Sequence, residues 1–256
     1  MTGTPDLEHL AHRLMMELSG RGWALDRGPL FEAALQLLAR GEPVPLERLA
    51  EAVGWPVKTV RAALEEDPAV EWDEARRLIG WGLTLRPTPF RLEWEGRSLW
   101  TWCALDTLLF PLCLQREARV EASCARTGQP IRFTISPAGI RAIEPVEAVL
   151  VLAAPGPGAG IRAAFCQRTV FLASPRLFQP GGPWDPVLAL FSLPEAFRLA
   201  QRIMPYLRWE GGIGCCVAVP GPDLRSLSPS SLWCWPSLPK ARFHPSGWHR
   251  GRMGGP

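Results

Sequence analysis

The feature that most constrains the fold is a change in hydrophobic pattern between residues 67 and 78. Before it, apolar residues recur at helical spacing, as in Leu7, Leu10 and Leu14. After it, short segments such as FRLEWEG and SLWTW either alternate between apolar and polar residues or are wholly apolar, which indicates β-strands. The sequence therefore predicts an α+β fold, in which an N-terminal helical domain packs on a core of mixed or antiparallel β-sheets with short helices.

The N-terminal part contains a helix-turn-helix pattern. Helices are predicted at residues 6–18, from Pro29 to Gly41, at 45–53 and at 56–66. The last two are separated by a turn at Gly54-Trp55-Pro56, and the strand-like segments VEWDE and RRLIGWGLTL that follow are suited to form a wing. We predict a winged-helix-like domain over residues 1–80.

The remaining chain is predicted to form an α+β core and a tail. Residues 81–209 contain a buried helix in CALDTLLFPLCL, interrupted by Pro111, and a helix at 192–207. Further strands are predicted at ARVEASC, IRFTIS, AVLVLAA and AAFCQRTVFLAS. Residues 210–256 are rich in Gly, Pro and Ser and show no persistent period, so we predict a disordered tail.

The charge distribution argues against a nucleic-acid partner. The net charge is +3, and all of the excess lies in residues 210–256, which leaves residues 1–209 neutral. The predicted recognition helix carries Lys58 and Arg61 but ends in Glu65, Glu66 and Asp67, which suits a phosphate backbone poorly. The sequence has no apolar run long enough for a membrane span and no secretory signal, so we expect a cytoplasmic protein that binds no membrane.

Histidine and cysteine usage narrows the chemistry. The four histidines are confined to the ends of the chain, so a Ser-His-Asp triad, a Cys-His dyad or a His-rich zinc site within the body is excluded unless a terminus supplies the histidine. An odd number of cysteines at irregular spacing, with no CxxC pair, indicates free thiols in a reducing compartment. The seven are Cys103, Cys113, Cys124, Cys166, Cys215, Cys216 and Cys234.

The segment Trp102-Cys103-Ala104-Leu105-Asp106 is the candidate reactive site. If it is helical, Cys103 and Asp106 share one face, and a carboxylate beside a thiol can accept or return its proton. Asp106 lies among apolar neighbours, so it needs a partner or a raised pKa. Cys166 is predicted to lie on a mostly apolar strand face and to be buried. A lone buried cysteine usually packs as a small hydrophobe, which is the expectation for the others taken singly.

Several segments resemble the organomercurial lyase (alkylmercury lyase) family over residues 27–205. These are GWGLTLRPT, LWTWCALDTLLFP, the ARV…C-x-x-TG-x-P stretch, SPAGIRAIEP and AFCQRTVFLAS, in this order. The resemblance implies that Cys103, Asp106 and Cys166 are the catalytic residues and that Cys124 is structural. Two features depart from the family pattern: Gln167 stands where some relatives carry another cysteine, and the tail beyond about residue 209 has no counterpart.

The resemblance implies a protonolytic cleavage of the carbon–mercury bond. Two thiolates are suited to a soft metal, so Cys103 and Cys166 would hold the Hg²⁺ product, with Asp106 as proton carrier and candidate further ligand. Neighbouring aromatics at Trp100, Trp102 and Phe165 are expected to form the substrate pocket. Mercury belongs to the substrate and product, so no separate cofactor is expected; low-molecular-weight thiols and a mercuric reductase are the expected partners.

Three other functions fit parts of the sequence. A thiol-based soft-metal sensor that regulates transcription would use the helix-turn-helix, but it should present a basic recognition face. A non-catalytic mercury- or copper-binding protein would need the thiols but gains little from Asp106. A cysteine hydrolase is disfavoured because the body lacks histidine.

Overall fold

The structure, a computed structural model, describes residues 6–19, 28–157 and 160–207 of the chain. Its first part is helical, as the apolar spacing predicts. Gly54 ends the third helix in the left-handed conformation, with φ 69° and its N–H bonded to the carbonyl of Ala50, and so makes the tight turn of a helix-turn-helix. The four helices are α1 (Leu7–Ser19), α2 (Gly28–Leu38), α3 (Leu46–Val53) and α4 (Val57–Glu65).

The larger sheet is antiparallel and joins the wing to the core. Its strand order is β1-β2-β3-β5-β4-β6-β7-β8, so the three wing strands continue directly into the core sheet through the β3–β5 pairing. The tight β4–β5 turn places Glu95 and Gly96 at positive φ, as the turn predicted there requires. The strands are β1 (Glu71–Trp72), β2 (Leu78–Trp81), β3 (Leu83–Thr84), β4 (Phe90–Trp94), β5 (Arg97–Thr101), β6 (Ala118–Ser123), β7 (Pro130–Ser136) and β8 (Gly139–Glu144).

A second, three-stranded antiparallel sheet has β9 (Val149–Ala153) between β10 (Val170–Leu172) and β11 (Val187–Ser192). Every residue of β9 is buried, which accounts for its uninterrupted apolar sequence. Three helices complete the described fold: α5 (Asp106–Cys113), α6 (Gly160–Ala164) and α7 (Leu193–Leu207). Helix α7 packs against both α1 and α5, so the N-terminal helices and the β-sheet core share one hydrophobic core.

The predicted fold class is confirmed, but two local predictions were wrong. Cys103 lies in a turn before α5, which begins only at Asp106, so the two residues do not share a helix face. Cys166 is not in a strand: α6 ends at Ala164, a 3-10 turn covers Cys166–Arg168, and only Val170–Leu172 is extended. The strands β8 and β11 were not predicted. Tertiary contacts, described below, override the local pattern at both cysteines.

Two predictions stay open. The disordered tail at 210–256, with Cys215, Cys216 and Cys234, lies outside the described residues. The predicted boundary at residue 80 between the N-terminal domain and the core also stays a prediction. Among the described residues, none of the helices has the length and hydropathy of a membrane span.

Candidate active site

Cys103 lies in a turn whose backbone is held by neighbouring polar side chains. The Asp106 carboxylate accepts the backbone N–H of Cys103 at 3.1 Å. The Thr101 hydroxyl donates to the carbonyl of Cys103 at 2.9 Å, and the Thr107 hydroxyl donates to that of Ala104 at 2.7 Å. The turn between β5 and α5 therefore has its polar groups satisfied locally, which fixes the Cys103 thiol beside the carboxylate.

A backbone hydrogen bond joins this turn to the turn that carries Cys166. The N–H of Ala104 donates to the carbonyl of Thr169 at 3.1 Å. Thr169 follows the 3-10 turn Cys166–Arg168 directly, and its N–H bonds back to the carbonyl of Cys166 at 3.2 Å. The two cysteines, which are distant in sequence, therefore converge through a main-chain hydrogen bond. Such a bond does not depend on particular side chains, so the sequence does not reveal it.

Arg168 anchors the Cys166 turn to the second sheet. Its guanidinium donates to the carbonyl of Ala154 at 2.9 Å and to that of Trp184 at 3.1 Å, and it also bonds the carbonyl of Asp185. The rigid, planar guanidinium group can donate hydrogen bonds to several carbonyls at once. The sequence predicted this arginine only as part of the strand AAFCQRTVFLAS, and its anchoring role was missed.

The two turns bring Cys103, Asp106 and Cys166 together. Their sulfur and carboxylate oxygen atoms all lie within 4.8 Å of one another. Cys103 is fully buried and Cys166 is 4% exposed. At this separation the Cys103 thiol lies beside both the Asp106 carboxyl and the Cys166 thiol, so the three groups influence one another's proton equilibria. Two soft sulfur donors beside one carboxylate form a pocket for a thiophilic metal, for which two sulfur ligands can suffice.

Burial shifts the proton equilibria of all three groups. It raises the pKa of Asp106 to about 7, although hydrogen bonds from the thiol and N–H of Cys103 act to lower it. The pKa of Cys103 is raised well above its ordinary value by burial, by the bond to Cys166 and by the charge of Asp106. At Cys166 the bond to Cys103 lowers the pKa, but burial and the Asp106 charge outweigh it and raise the pKa. At neutral pH the thiols therefore keep their protons, and Asp106 is poised between its two forms.

A narrow apolar cavity of about 30 Å³ adjoins the cluster, with room for about two water molecules. The predicted pocket residues Trp102 and Phe165 line it, whereas Trp100 is not among the lining residues. Sequence reasoning missed the larger share of the wall, which comes from α1, α2, β2, α5 and α7. The missed residues include Leu14, Met15, Leu18, Phe31, Trp81, Phe110 and Ile203. No local motif marks them, because each is an ordinary apolar residue of its own helix or strand.

A polar cluster behind Trp102 holds its indole in place. The buried carboxylate of Glu71 accepts Trp102 Nε1–H at 3.3 Å, and it also bonds the Thr84 hydroxyl and the Arg162 guanidinium. The Arg162 guanidinium carbon lies 5.0 Å from the centroid of the Trp102 ring, a cation–π contact. Neither Glu71 nor Arg162 was predicted as a site residue: Glu71 is remote from the cysteines in sequence, and Arg162, four residues before Cys166, belongs to no motif that marks its contact with Trp102.

The other described cysteines lie outside the cluster. Cys124 is buried at the end of β6, and its N–H bonds to the carbonyl of Gln129 at 2.8 Å. Cys113, on α5, contacts the sulfur of Met204 at 3.6 Å. Cys103, Cys124 and Cys166 are free thiols. The structural role predicted for Cys124 stays a prediction.

The fold and the cluster together define a class of protein: a helix-turn-helix unit joined to an α+β core that carries a buried two-thiol, one-carboxylate site. Family models described as alkylmercury lyase and as the helix-turn-helix domain of alkylmercury lyase match residues 83–205 and 9–82. The chain belongs to the alkylmercury lyase family, a family of enzymes.

Individual relatives agree with this assignment. An alkylmercury lyase of Streptomyces lividans is 39% identical over 213 residues, which covers 82% of this chain and 98% of the relative. One of Pseudomonas putida is 41% identical over 174 residues, covering 68% and 82% of the two chains. A solved structure titled the mercury-bound form of MerB2 shares the fold with a TM-score of 0.64 at 20% identity, and covers 80% of this chain and all of the other.

Proposed function

We propose that this protein cleaves the carbon–mercury bond of organomercurials by protonolysis and releases a hydrocarbon and Hg²⁺. Membership of the alkylmercury lyase family supports the reaction type. The observation that carries the residue assignment is the convergence of Cys103, Asp106 and Cys166, whose donor atoms lie within 4.8 Å of one another beside an apolar cavity.

The first step is exchange of thiols onto mercury. The ionised form of Asp106 takes the proton of the neighbouring Cys103 thiol, and the thiolate displaces the anionic ligand of the organomercurial. Cys166 then adds as a second sulfur ligand, and its proton leaves with the displaced ligand. The two thiolates push electron density onto mercury and so weaken its bond to carbon.

The second step is protonation of the leaving carbon. Asp106, now neutral, gives its proton to the carbon as the carbon–mercury bond breaks, and Hg²⁺ stays on Cys103 and Cys166. A carboxyl whose pKa lies at about 7 suits both halves of this cycle, because it is neither too weak a base nor too weak an acid at neutral pH. One thiol proton ends on the hydrocarbon and the other leaves with the displaced ligand, so the protons balance.

The surroundings of the cluster suit an organic substituent. Trp102 and Phe165 contribute aromatic surface to the cavity wall, which would hold the organic group and keep water from the reacting atoms. Asp106 remains a candidate third ligand of the Hg²⁺ product. No separate cofactor is needed, since mercury arrives with the substrate. Low-molecular-weight thiols would carry Hg²⁺ away and a mercuric reductase would receive it. The free thiols favour a reducing cytoplasm as the location.

Two rival functions are weaker on specific grounds. A transcriptional sensor needs a cationic recognition helix, but α4 carries Lys58 and Arg61 and ends beside Glu65 and Glu66. A mercury-binding protein without catalysis would not need a carboxyl of raised pKa beside its thiols, because burying the charged carboxylate disfavours folding.

The test is a turnover assay with phenylmercury and excess thiol, in which benzene is measured. Cys103→Ser and Cys166→Ser should each abolish benzene release, whereas Cys113→Ser, which alters a cysteine outside the cluster, should release benzene at the wild-type rate. Asp106→Ala should bind phenylmercury through the thiols yet lose protonolysis. Benzene release by either serine variant of the cluster would remove that cysteine from the mechanism, and undiminished release by Asp106→Ala would refute the proton-transfer role.

A further inference from the structure

Two indole rings that line the apolar cavity are each held from outside it by a carboxylate. Trp81 Nε1–H donates to Asp67 Oδ2 at 2.9 Å. Trp102 Nε1–H donates to Glu71 Oε1 at 3.3 Å. Both tryptophans line the cavity, whereas neither carboxylate is among its lining residues. An indole has a single hydrogen-bonding group, so an acceptor at that atom determines how the ring is turned.

Both carboxylates belong to one short connection between the helix-turn-helix and the wing. Residues 67–71 run from the end of α4 to the start of β1. Asp67 Oδ1 accepts the N–H of Ala69 at 2.9 Å, which closes a turn and leaves Oδ2 to the indole. Glu71 is 7% exposed, and its charge is paired with that of Arg162. The connection therefore presents two acceptors that are already fixed in the substrate-free protein.

The two indoles are joined through the backbone to each other and to the reactive turn. The N–H of Trp102 donates to the carbonyl of Gly82 at 3.0 Å, and Gly82 directly follows Trp81. Trp102 directly precedes Cys103. Phe31 packs edge-on against Trp81, with 5.1 Å between the ring centroids. A shift of either indole would therefore reshape a cavity of only about 30 Å³ beside the thiol.

We propose that Asp67 and Glu71 are positioning residues that set which organic groups the cavity accepts. The inference rests on the proposed function, in which the organic group of the substrate lies against the aromatic wall. Indoles fixed by carboxylates leave a narrow, rigid space that favours small substituents. Release of an indole loosens its contact with a small group and makes room for a larger one. The end of the helix-turn-helix unit thereby determines the substrate preference of a site to which it contributes no reacting atom.

The test compares kcat/KM for phenylmercury and for methylmercury in full-length protein with excess thiol, from the release of benzene and of methane. Asp67→Ala and Glu71→Met each remove one acceptor, whereas Glu71→Gln keeps an oxygen for the indole of Trp102. The matched control is Asp73→Ala, because the carboxylate of Asp73 also belongs to the wing but accepts its hydrogen bonds from Arg77. The ratio of the two kcat/KM values within one variant cancels any loss of folded protein.

The indole N–H resonances of the ¹⁵N-labelled, substrate-free protein give a second measurement that does not depend on turnover. Asp67→Ala should move the resonance of Trp81 upfield, and Glu71→Met should do the same to that of Trp102. Glu71→Gln should leave the Trp102 resonance near its wild-type position. The indole of Trp94 donates to the carbonyl of Ala39 at 3.1 Å, so its resonance should stay in place in every variant. Trp→Phe variants assign the three resonances.

Asp67→Ala and Glu71→Met should each raise the ratio of phenylmercury to methylmercury kcat/KM about tenfold, the lower end of the effect of one methylene-sized contact in an apolar pocket. Glu71→Gln and Asp73→Ala should keep the wild-type ratio. An unchanged ratio in Asp67→Ala, which alters only a half-buried residue, or an equal rise in Asp73→Ala would overturn the inference. Failure of the proposed function would look different: the wild type would release neither hydrocarbon, although the indole resonances would still shift.

Discussion

Asp106→Asn should make the protein more stable at alkaline pH, at the cost of activity. The substitution keeps the shape of the side chain, and the amide oxygen can still accept the N–H of Cys103 at about the same place. It removes only the charge. Because burial raises the pKa of Asp106 from 3.8 to about 7, the folded protein binds a proton that the unfolded chain has already released in this range.

The sign and size follow from linkage. The contribution of Asp106 to stability is fully present below about pH 4, is lost as the pH rises through the native pKa of about 7, and changes little above it. At about 1.4 kcal/mol per pKa unit, the whole shift corresponds to about 4 kcal/mol, of which about 3 kcal/mol develops above pH 5. The Asp106→Asn variant has no carboxyl to titrate at this position, so it lacks this pH-dependent loss of stability. The raised pKa values of Cys103 and Cys166 keep both thiols protonated over the same interval.

The measurement is the free energy of unfolding in urea, under reducing conditions, at several values between about pH 5 and pH 8. Relative to the wild type, Asp106→Asn should gain about 3 kcal/mol across this interval. Asp73→Asn is the control: hydrogen bonds from the backbone and side chain of Arg77 lower the pKa of Asp73, so its charge stabilises the folded state throughout this interval, and the substitution should destabilise by an amount that does not change with pH. If the difference between Asp106→Asn and the wild type stays constant with pH, the buried-acid reasoning is wrong.

Two substitutions test the framework around the site. Gly80→Ala should destabilise the fold by about 1–3 kcal/mol in urea unfolding, because the new Cβ would lie 2.5 Å from Glu71 Oε2 and 2.7 Å from Thr84 Oγ1; wild-type stability would mean that Glu71 is not held as described. Arg168→Met should destabilise by about 2–3 kcal/mol, since it leaves the carbonyls of Ala154 and Trp184 unpaired. It should also slow Hg²⁺ uptake in stopped-flow absorbance, and unchanged uptake would show that the Cys166 turn does not need this anchor.

The sequence predicted the helical part of the fold better than the reactive turns. Apolar spacing located α1 to α4 and α7 closely, because each buries one face of a long enough helix. It failed at AAFCQRTVFLAS, where Arg168 bonds carbonyls of distant residues and holds a 3-10 turn in place of a strand. A turn fixed by remote backbone groups cannot be inferred from the alternation of residue types.

The cluster was predicted for partly wrong reasons. The closeness of Cys103 to Asp106 was inferred from a shared helix face, whereas it results from the carboxylate accepting the N–H of Cys103 within a turn. The closeness of Cys166 to Cys103 was inferred only from the family resemblance. It results from the Ala104–Thr169 hydrogen bond, which no pattern in the sequence predicts. The wall residues supplied by the N-terminal helices could not be assigned without the packing of α1 against α7.

Product release, in the proposed reaction, is the step for which the inner site is least suited. Two thiolates in a dry cavity bind Hg²⁺ tightly. A ligand that binds only the folded state also stabilises that state. The same burial that keeps water from the carbon–mercury bond therefore keeps free thiols from the metal. Release must then proceed by exchange of one sulfur ligand at a time, so that one cysteine still holds the ion while a small thiol replaces the other. The order of release should then be Cys166 first and Cys103 second, which follows from their burial and not from any difference in their affinity for mercury.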